Sequence, residues 1–174
     1  MEFEWIFKPI DEDMDVCSFD CGKEPLNSYL HRHAFTNHTR GLCKTFVALP
    51  YEDSREVAGF YSICAGQVSF DNFPKRIGRG LPKYPIPVMR LAQLAVSKNH
   101  QKKGLGEELL MSALCQAISV SNQLGIYAVI VDALDNEAQQ FYAKYEFTAF
   151  IDKPNCLFLQ LKKIIATLDA GTSC

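Results

Sequence analysis

Four groups of residues in this chain could do chemistry. Gln101-x-x-Gly104-x-Gly106 follows an aliphatic stretch, Val88–Val96, and opens a run with Leu105, Leu109, Leu110, Leu114, Ala117, Ile118 and Leu124 at helical spacing. A glycine loop between a strand and a helix aims successive backbone N–H groups and the positive end of the helix at one point. That point suits a phosphate. Lys102 and Lys103 beside it would complement the charge, although paired loop lysines are often only solvated, and the glycines alone would also serve a tight turn. The P-loop is excluded because no Gly-Lys-Ser/Thr occurs, and the dinucleotide fingerprint because Leu109 stands where its third glycine belongs.

The second group is basic. Lys75, Arg76, Arg79, Lys83 and Arg90 fall in Asn72–Arg90, which holds no acidic residue. Such a patch is either a solvated loop or a contact for a nucleic-acid backbone, which positions the polymer without reading its sequence. The third group, Cys17-x₃-Cys21 with His33-x₄-His38, approaches a zinc-binding spacing. It reads better as part of a helix, Glu24–His38, with Leu26, Tyr29, Leu30 and His33 on one face, so no metal is expected. The fourth is a pair of phenols, Tyr142 and Tyr145, on an apolar helical face with Ala138 and Phe141. Spacing leaves a core tyrosine and a catalytic one equally open. No Glu or His presents itself as a base for an amine. Were the chemistry a transfer to an amine, an α-amino group, of pKa about 7.7–8.0, would need a base less than a lysine of about 10.4.

Composition bounds the scaffold that must position these groups. A chain of 174 residues, 48% of them apolar, is long enough for one domain with a core, and its net charge of −2 rules out a uniformly basic nucleic-acid binder. The domain is expected over 1–165, followed by a flexible tail at 166–174. No apolar run approaches the roughly 20 residues of a membrane helix, and the acidic start MEFEWIFKPIDEDMD does not resemble a signal peptide. A cytoplasmic protein with reduced cysteines is expected, since the seven cysteines contain no C-x-x-C and several sit in apolar segments.

Taken in order, Phe3–Ile10 alternates as a strand and Pro25 opens a helix. Thr45–Leu49 and Val57–Phe70 form a hairpin in which Gly66 marks a bulge or the end. Ile126–Ala133 is a strand buried on both faces beside Val88–Val96. Asp135 caps a helix over Asn136–Glu146. Phe147–Ile151 and Cys156–Leu161 close the sheet around Pro154-Asn155. The order is β-α-β-β-β-α-β-α-β-β, with an optional short helix within 72–85: a mixed α/β fold.

The glycine loop resembles the acetyl-CoA motif of the GNAT N-acetyltransferases, Q/R-x-x-G-x-G/A, and Ala138-x-x-Phe141-Tyr142 resembles the family's second motif, A-x-x-F/L-Y. The order of elements matches over roughly 3–161. The resemblance implies a GNAT fold, a mixed central sheet whose fourth and fifth strands splay apart and which helices flank, with acetyl-CoA as acetyl donor. Leu94, Ala95 and Val96 would supply the strand edge for the pantetheine arm. Gln101, Lys102, Lys103, Gly104, Leu105 and Gly106 would surround the pyrophosphate, and Tyr142 would protonate the departing thiolate. Two positions depart from the pattern: Asp135 stands where many members have Asn, and Glu146 where a glycine often ends the helix.

Further stretches resemble the toxin branch of the family: Phe19-Asp20-Cys21-Gly22 with Leu26-Asn27-x-Tyr29-Leu30, Thr45-Phe46-Val47, Val57–Ser62, Pro85–Val88 and Leu91-Ala92-x-Leu94-Ala95-Val96. That branch acetylates the α-amine of aminoacyl-tRNA and pairs with a ribbon-helix-helix antitoxin. The resemblance implies a homodimer in which Lys75, Arg76, Arg79 and Lys83 hold the RNA. The alternatives are an acetyltransferase of a small amine or protein N-terminus, and a non-catalytic module that binds CoA.

Overall fold

The computed structural model describes residues 5–171. Its elements are β1 (Ile6–Pro9), α1 (Glu24–Arg32), α2 (Ala34–Thr39), β2 (Lys44–Leu49), β3 (Gly59–Val68), α3 (Lys75–Gly78), β4 (Ile86–Val96), α4 (Leu105–Ser121), β5 (Ala128–Asp132), α5 (Asn136–Lys144), β6 (Thr148–Ala149), β7 (Cys156–Gln160) and α6 (Leu161–Gly171). The strands are hydrogen-bonded in the order β1-β2-β3-β4-β5-β7-β6. Two compact units share the chain. One takes the residues up to Cys64 with Ala92–Ala113; the other takes Ala65–Leu91 with the residues from Leu114 on.

In the first unit β1 and β2 are antiparallel, with Ile6 opposite Leu49, and β2 and β3 are antiparallel from Lys44↔Ile63 to Ala48↔Gly59. The expected first strand began at Phe3; Phe3 and Glu4 lie outside the described residues, and the strand begins at Ile6. Val47, Leu49 and Phe60 from this meander meet Phe19, Leu30 and Ala34 in one buried cluster. Pro25 does sit in the first turn of its helix, where its missing N–H costs nothing. The single helix expected over Glu24–His38 is two. His33 leaves the helical region at φ −122°, ending α1 through an N–H bond to Tyr29 O, and is exposed instead of facing the core. β3 runs through Gly66 to Val68, so that glycine does not end it.

In the second unit β4 and β5 are parallel, Val88 opposite Ala128 and Leu91 opposite Val131. β5 pairs on its other side with antiparallel β7, from Ala128↔Gln160 to Asp132↔Cys156. Ala128–Val131 are almost wholly inaccessible, which is why that segment carries no polar alternation. Phe73, Ile86, Val88, Ile130, Phe150 and Phe158 belong to one core cluster. β6 is only two residues long, shorter than the strand expected over Phe147–Ile151.

The start of the tail expected from 166 falls within the last helix. α6 runs from Leu161 to Gly171, with Ile164 and Leu168 buried. Their i, i+4 spacing is helical, and the surrounding small residues Ala166, Thr167 and Ala170 conceal it in the sequence. Five cysteines, at 17, 21, 43, 64 and 156, are free thiols.

Candidate active site

The glycine loop belongs to the first unit. β4 ends at Val96, and Ser97 turns the chain by donating its N–H to Ala58 O at 2.8 Å. A single 3₁₀ turn, Lys98–His100, follows. Lys102 and Gly104 then adopt left-handed conformations at φ +62° and +84°. Gly104 meets that requirement at no cost, whereas Lys102 bears it against its Cβ. A loop with left-handed residues is the kind of backbone that can line an anion-binding concavity with its N–H groups, and Leu105, 1% exposed, anchors the start of α4 directly afterwards.

The first turn of α4 has N–H groups without intrahelical acceptors. The Glu108 N–H bonds to Gly104 O at 3.3 Å. Residues 101–104 are exposed, and Gly106 is half-exposed. Glu107 and Glu108 favour the helix start electrostatically, and burial with its neighbour Glu107 raises the Glu108 carboxyl above the ordinary range. On β4 the half-buried Leu94 and Val96 alternate with buried Ala95. The arrangement is an exposed amide cradle at a positive helix end, chemistry that fits a diphosphate.

Gln101 is tied into that loop by its side chain. Its side-chain amide donates to Val96 O at 2.9 Å and to Cys21 O at 3.1 Å. The side chain therefore fixes the loop, and only its backbone remains to face a ligand. His100 adds a second tie through Nε2 to Glu56 Oε1 at 2.6 Å, with its ring edge-on to Trp5.

The second unit holds the phenol and the basic segment. Asp135 is an N-cap, its Oδ1 accepting the Ala138 N–H at 2.9 Å, so the residue that departs from the family pattern has a local structural task. Tyr142, buried on α5, lies edge-on to Phe141 and Phe147 at 5.2 and 5.5 Å between ring centres. Burial pushes its phenol well above the ordinary range, so it is neutral at any physiological pH and has a proton to give.

Lys75 and Arg76 on α3, with Arg79 and Lys83 beyond it, are all exposed. Arg90 does not belong with them: it pairs with Asp132 of β5, which neutralises the fifth base of the expected patch. Phe73, which the sequence alone did not single out, pins this segment. It is 2% exposed, and its ring meets Tyr127, Phe150 and Phe158 edge-on at 5.2–5.6 Å. Its place ahead of Pro74 in a basic stretch did not set it apart in the sequence, since Tyr84 stands likewise ahead of Pro85. A cavity of about 140 Å³ opens nearby, lined by Val68, Asn72, Arg90, Ile130, Phe150 and Cys156 among others. Burial, with Asp132 adding to it, pushes the Cys156 thiol up to about 12, so it is no nucleophile.

The Cys17–His38 constellation holds its groups to other tasks. His38 Nδ1 accepts the Thr45 N–H at 3.0 Å, and burial lowers the pKa of the ring. Among the described residues no group of three or more His, Cys, Asp or Glu could hold a metal ion.

Residues 43–149 match the model of an acetyltransferase (GNAT) domain. The chain is 36% identical over 153 residues to a tRNA-acetylating toxin of Mycobacterium tuberculosis, covering 88% of this chain and 90% of that one. The structure of AtaT complexed with acetyl-methionyl-tRNAfMet superposes with a TM-score of 0.88 at 27% identity, over 95% of this chain and 99% of that one. A tyrosine-to-phenylalanine mutant of the AtaT toxin, bound to the C-terminus of the antitoxin AtaR and acetyl-CoA, gives 0.80 at 26% identity over 95% and 99%.

Proposed function

This chain belongs to the GNAT acetyltransferases, in the branch of tRNA-acetylating toxins, and from that premise we propose how its own residues carry out the reaction. It is an acetyl-CoA-dependent N-acetyltransferase that acts on aminoacyl-tRNA as the toxin of a toxin–antitoxin pair. The observation that carries the reading is the exposed amide cradle at 101–106, set between β4 and α4 in a chain similar over nearly its whole length to tRNA-acetylating toxins.

The backbone of Gln101, Gly104, Leu105 and Gly106, with the side chains of Lys102 and Lys103, holds the pyrophosphate. Leu94, Ala95 and Val96 offer main-chain groups to the pantetheine arm. Acetyl-CoA supplies the acetyl group as a thioester. The acceptor's α-amine forms the new C–N bond as the C–S bond breaks; Tyr142 gives its phenolic proton to the departing sulfur, and the proton shed by the amine restores the phenol. Removing a charge from the leaving group is the phenol's contribution, and its high pKa keeps it loaded.

Lys75, Arg76, Arg79 and Lys83 hold the phosphates of the acceptor stem, while Phe73 keeps their segment in place. The protein works as a homodimer in the cytoplasm, with residues 1–165 as its catalytic domain, and its partner is an antitoxin of the ribbon-helix-helix kind. No helix among the described residues is long and apolar enough to cross a membrane.

Incubation of the purified protein with acetyl-CoA and a pool of charged tRNAs, followed by mass spectrometry of the terminal aminoacyl-adenosines, tests the reading. Acetylated aminoacyl-adenosine is expected. Turnover of acetyl-CoA on free amines or protein N-termini, with charged tRNA untouched, would replace it with the small-amine alternative.

A further inference from the structure

Asp20, Cys21, Gly22 and Asn27 lie far before the glycine loop in the sequence and directly against it in space. Lys98 donates its backbone N–H to Asp20 O at 2.9 Å and sets its Nζ 3.0 Å from Asp20 Oδ2. Asp20 Oδ1 accepts the Gly22 N–H at 2.8 Å and the Asn27 side-chain amide at 2.9 Å. Asn27 in turn accepts the Cys21 N–H on its Oδ1 at 2.9 Å, which leaves the Cys21 carbonyl to receive Gln101 Nε2 at 3.1 Å. Asn27 is 7% exposed on α1, so the chain of bonds ends on a rigid element. Gly22, at φ +88°, is where the turn passes under Lys98: a Cβ there would stand 3.3 Å from Lys98 Cε.

Each bond in this series has a consequence for the loop. The Lys98 ammonium is held by Asp20 and not left for a phosphate. The Lys98–Asp20 and Gln101–Cys21 bonds tie the loop at two points, three residues apart, just before its left-handed turn at Lys102 and Gly104. A cradle of backbone amides binds an anion well only when its geometry is set beforehand, because ordering it on binding subtracts from affinity. An anchored Gln101 removes that cost.

We infer that Asp20 and Asn27 are positioning residues for acetyl-CoA binding, which act through Lys98 and Gln101 and touch neither substrate. The inference rests on the acetyltransferase reading above. Lys98, the Gly22 N–H and Asn27 together hold the Asp20 carboxyl down to about 2, so the latch stays closed across the physiological range.

Acetyl-CoA affinity by calorimetry, and KM and kcat at saturating charged tRNA, are measured for Asn27→Ala, Asp20→Asn, Gln101→Ala and the double variant Asn27→Ala/Gln101→Ala. The single variants are expected to weaken acetyl-CoA binding and raise its KM about tenfold, the scale of one hydrogen bond, with kcat within about twofold. The double variant should be weaker than Gln101→Ala by less than the full effect of Asn27→Ala, since Asn27 acts partly through Gln101 and partly through Asp20 and Lys98. Thermal melts identify any variant that fails to fold, and Asp20→Asn, altered at an exposed carboxylate, then carries the test. Unchanged affinity in folded variants, a fall in kcat at constant KM, or additive effects would overturn the inference while leaving the acetyltransferase reading intact. Wild-type protein that binds no acetyl-CoA would overturn both.

Discussion

Gly59 at the start of β3 lies against Leu109 of α4 so closely that a Cβ on the glycine would stand 2.9 Å from Leu109 Cδ1. The same Cβ would be 3.1 Å from Ala95 O and from Leu105 Cδ2. One missing side chain thus lets β3 approach both the strand before the amide cradle and the first turn of the helix after it. Gly59→Ala must push on a leucine tip, which can rotate, and on a backbone carbonyl, which cannot. The expected cost is about 1–3 kcal/mol in urea denaturation, accompanied by weaker acetyl-CoA binding, because the displaced atoms belong to the cradle's own walls.

Tyr142 gives a prediction in two parts. Tyr142→Phe keeps the ring contacts with Phe141 and Phe147 and deletes the proton donor, so kcat should fall about 10²–10⁴-fold with acetyl-CoA affinity near normal. The phenol's pKa is raised in the folded state by burial. A raised pKa means that its contribution to stability is complete below about 10, the unfolded value, and is lost as pH climbs beyond it. Alkaline denaturation followed by circular dichroism should therefore show a component that Tyr142→Phe abolishes. An unaltered kcat would remove the phenol from the reaction.

The basic segment makes a prediction about salt. Arg76 and Arg79 are exposed, so their charges can be removed without disturbing the core. Arg76→Ala/Arg79→Ala should raise KM for charged tRNA and flatten the dependence of log affinity on log salt by roughly 2, about one for each phosphate deprived of its arginine. Arg90→Ala should act differently, through Asp132 left unpaired. Filter binding across a salt series distinguishes the two.

Glu146 occupies the position where a helix of this kind usually carries glycine. It stands at φ +70°, its N–H bonded to Ala143 O at 3.1 Å, and the Phe147 N–H reaches back to Tyr142 O at 3.3 Å. These are the two bonds of a Schellman ending, made by a residue whose Cβ resists the conformation. Glu146→Gly should stabilise the fold by about 1 kcal/mol, measured as a higher Tm, with kcat unchanged.

Local physics carried much of this protein in its sequence. Pro25 was placed to begin a helix, Asp135 was an N-cap by type and place, and Gly104 and Gly106 marked the loop between a strand and a helix. The nearly continuous apolar run Ile126–Ala133 marked a strand buried on both faces, and its Ala128–Val131 part is almost wholly inaccessible. Each of these conclusions depends on a residue and its neighbours within one or two turns, which a linear chain displays directly.

What the fold alone decided involves partners distant along the chain. Gln101 meets Cys21, 80 residues away, and so becomes an anchor of the loop as well as part of it. Arg90 meets Asp132, 42 residues away, and leaves the basic patch. Leu168 of α6 is buried, three residues past the point where the sequence ended the domain. A side chain's hydrogen-bond partner and its burial are set by whichever segment the tertiary fold lays beside it, and residue type restricts that choice without making it. The sequence determined which chemistry was available; tertiary packing decided which groups were free to perform it.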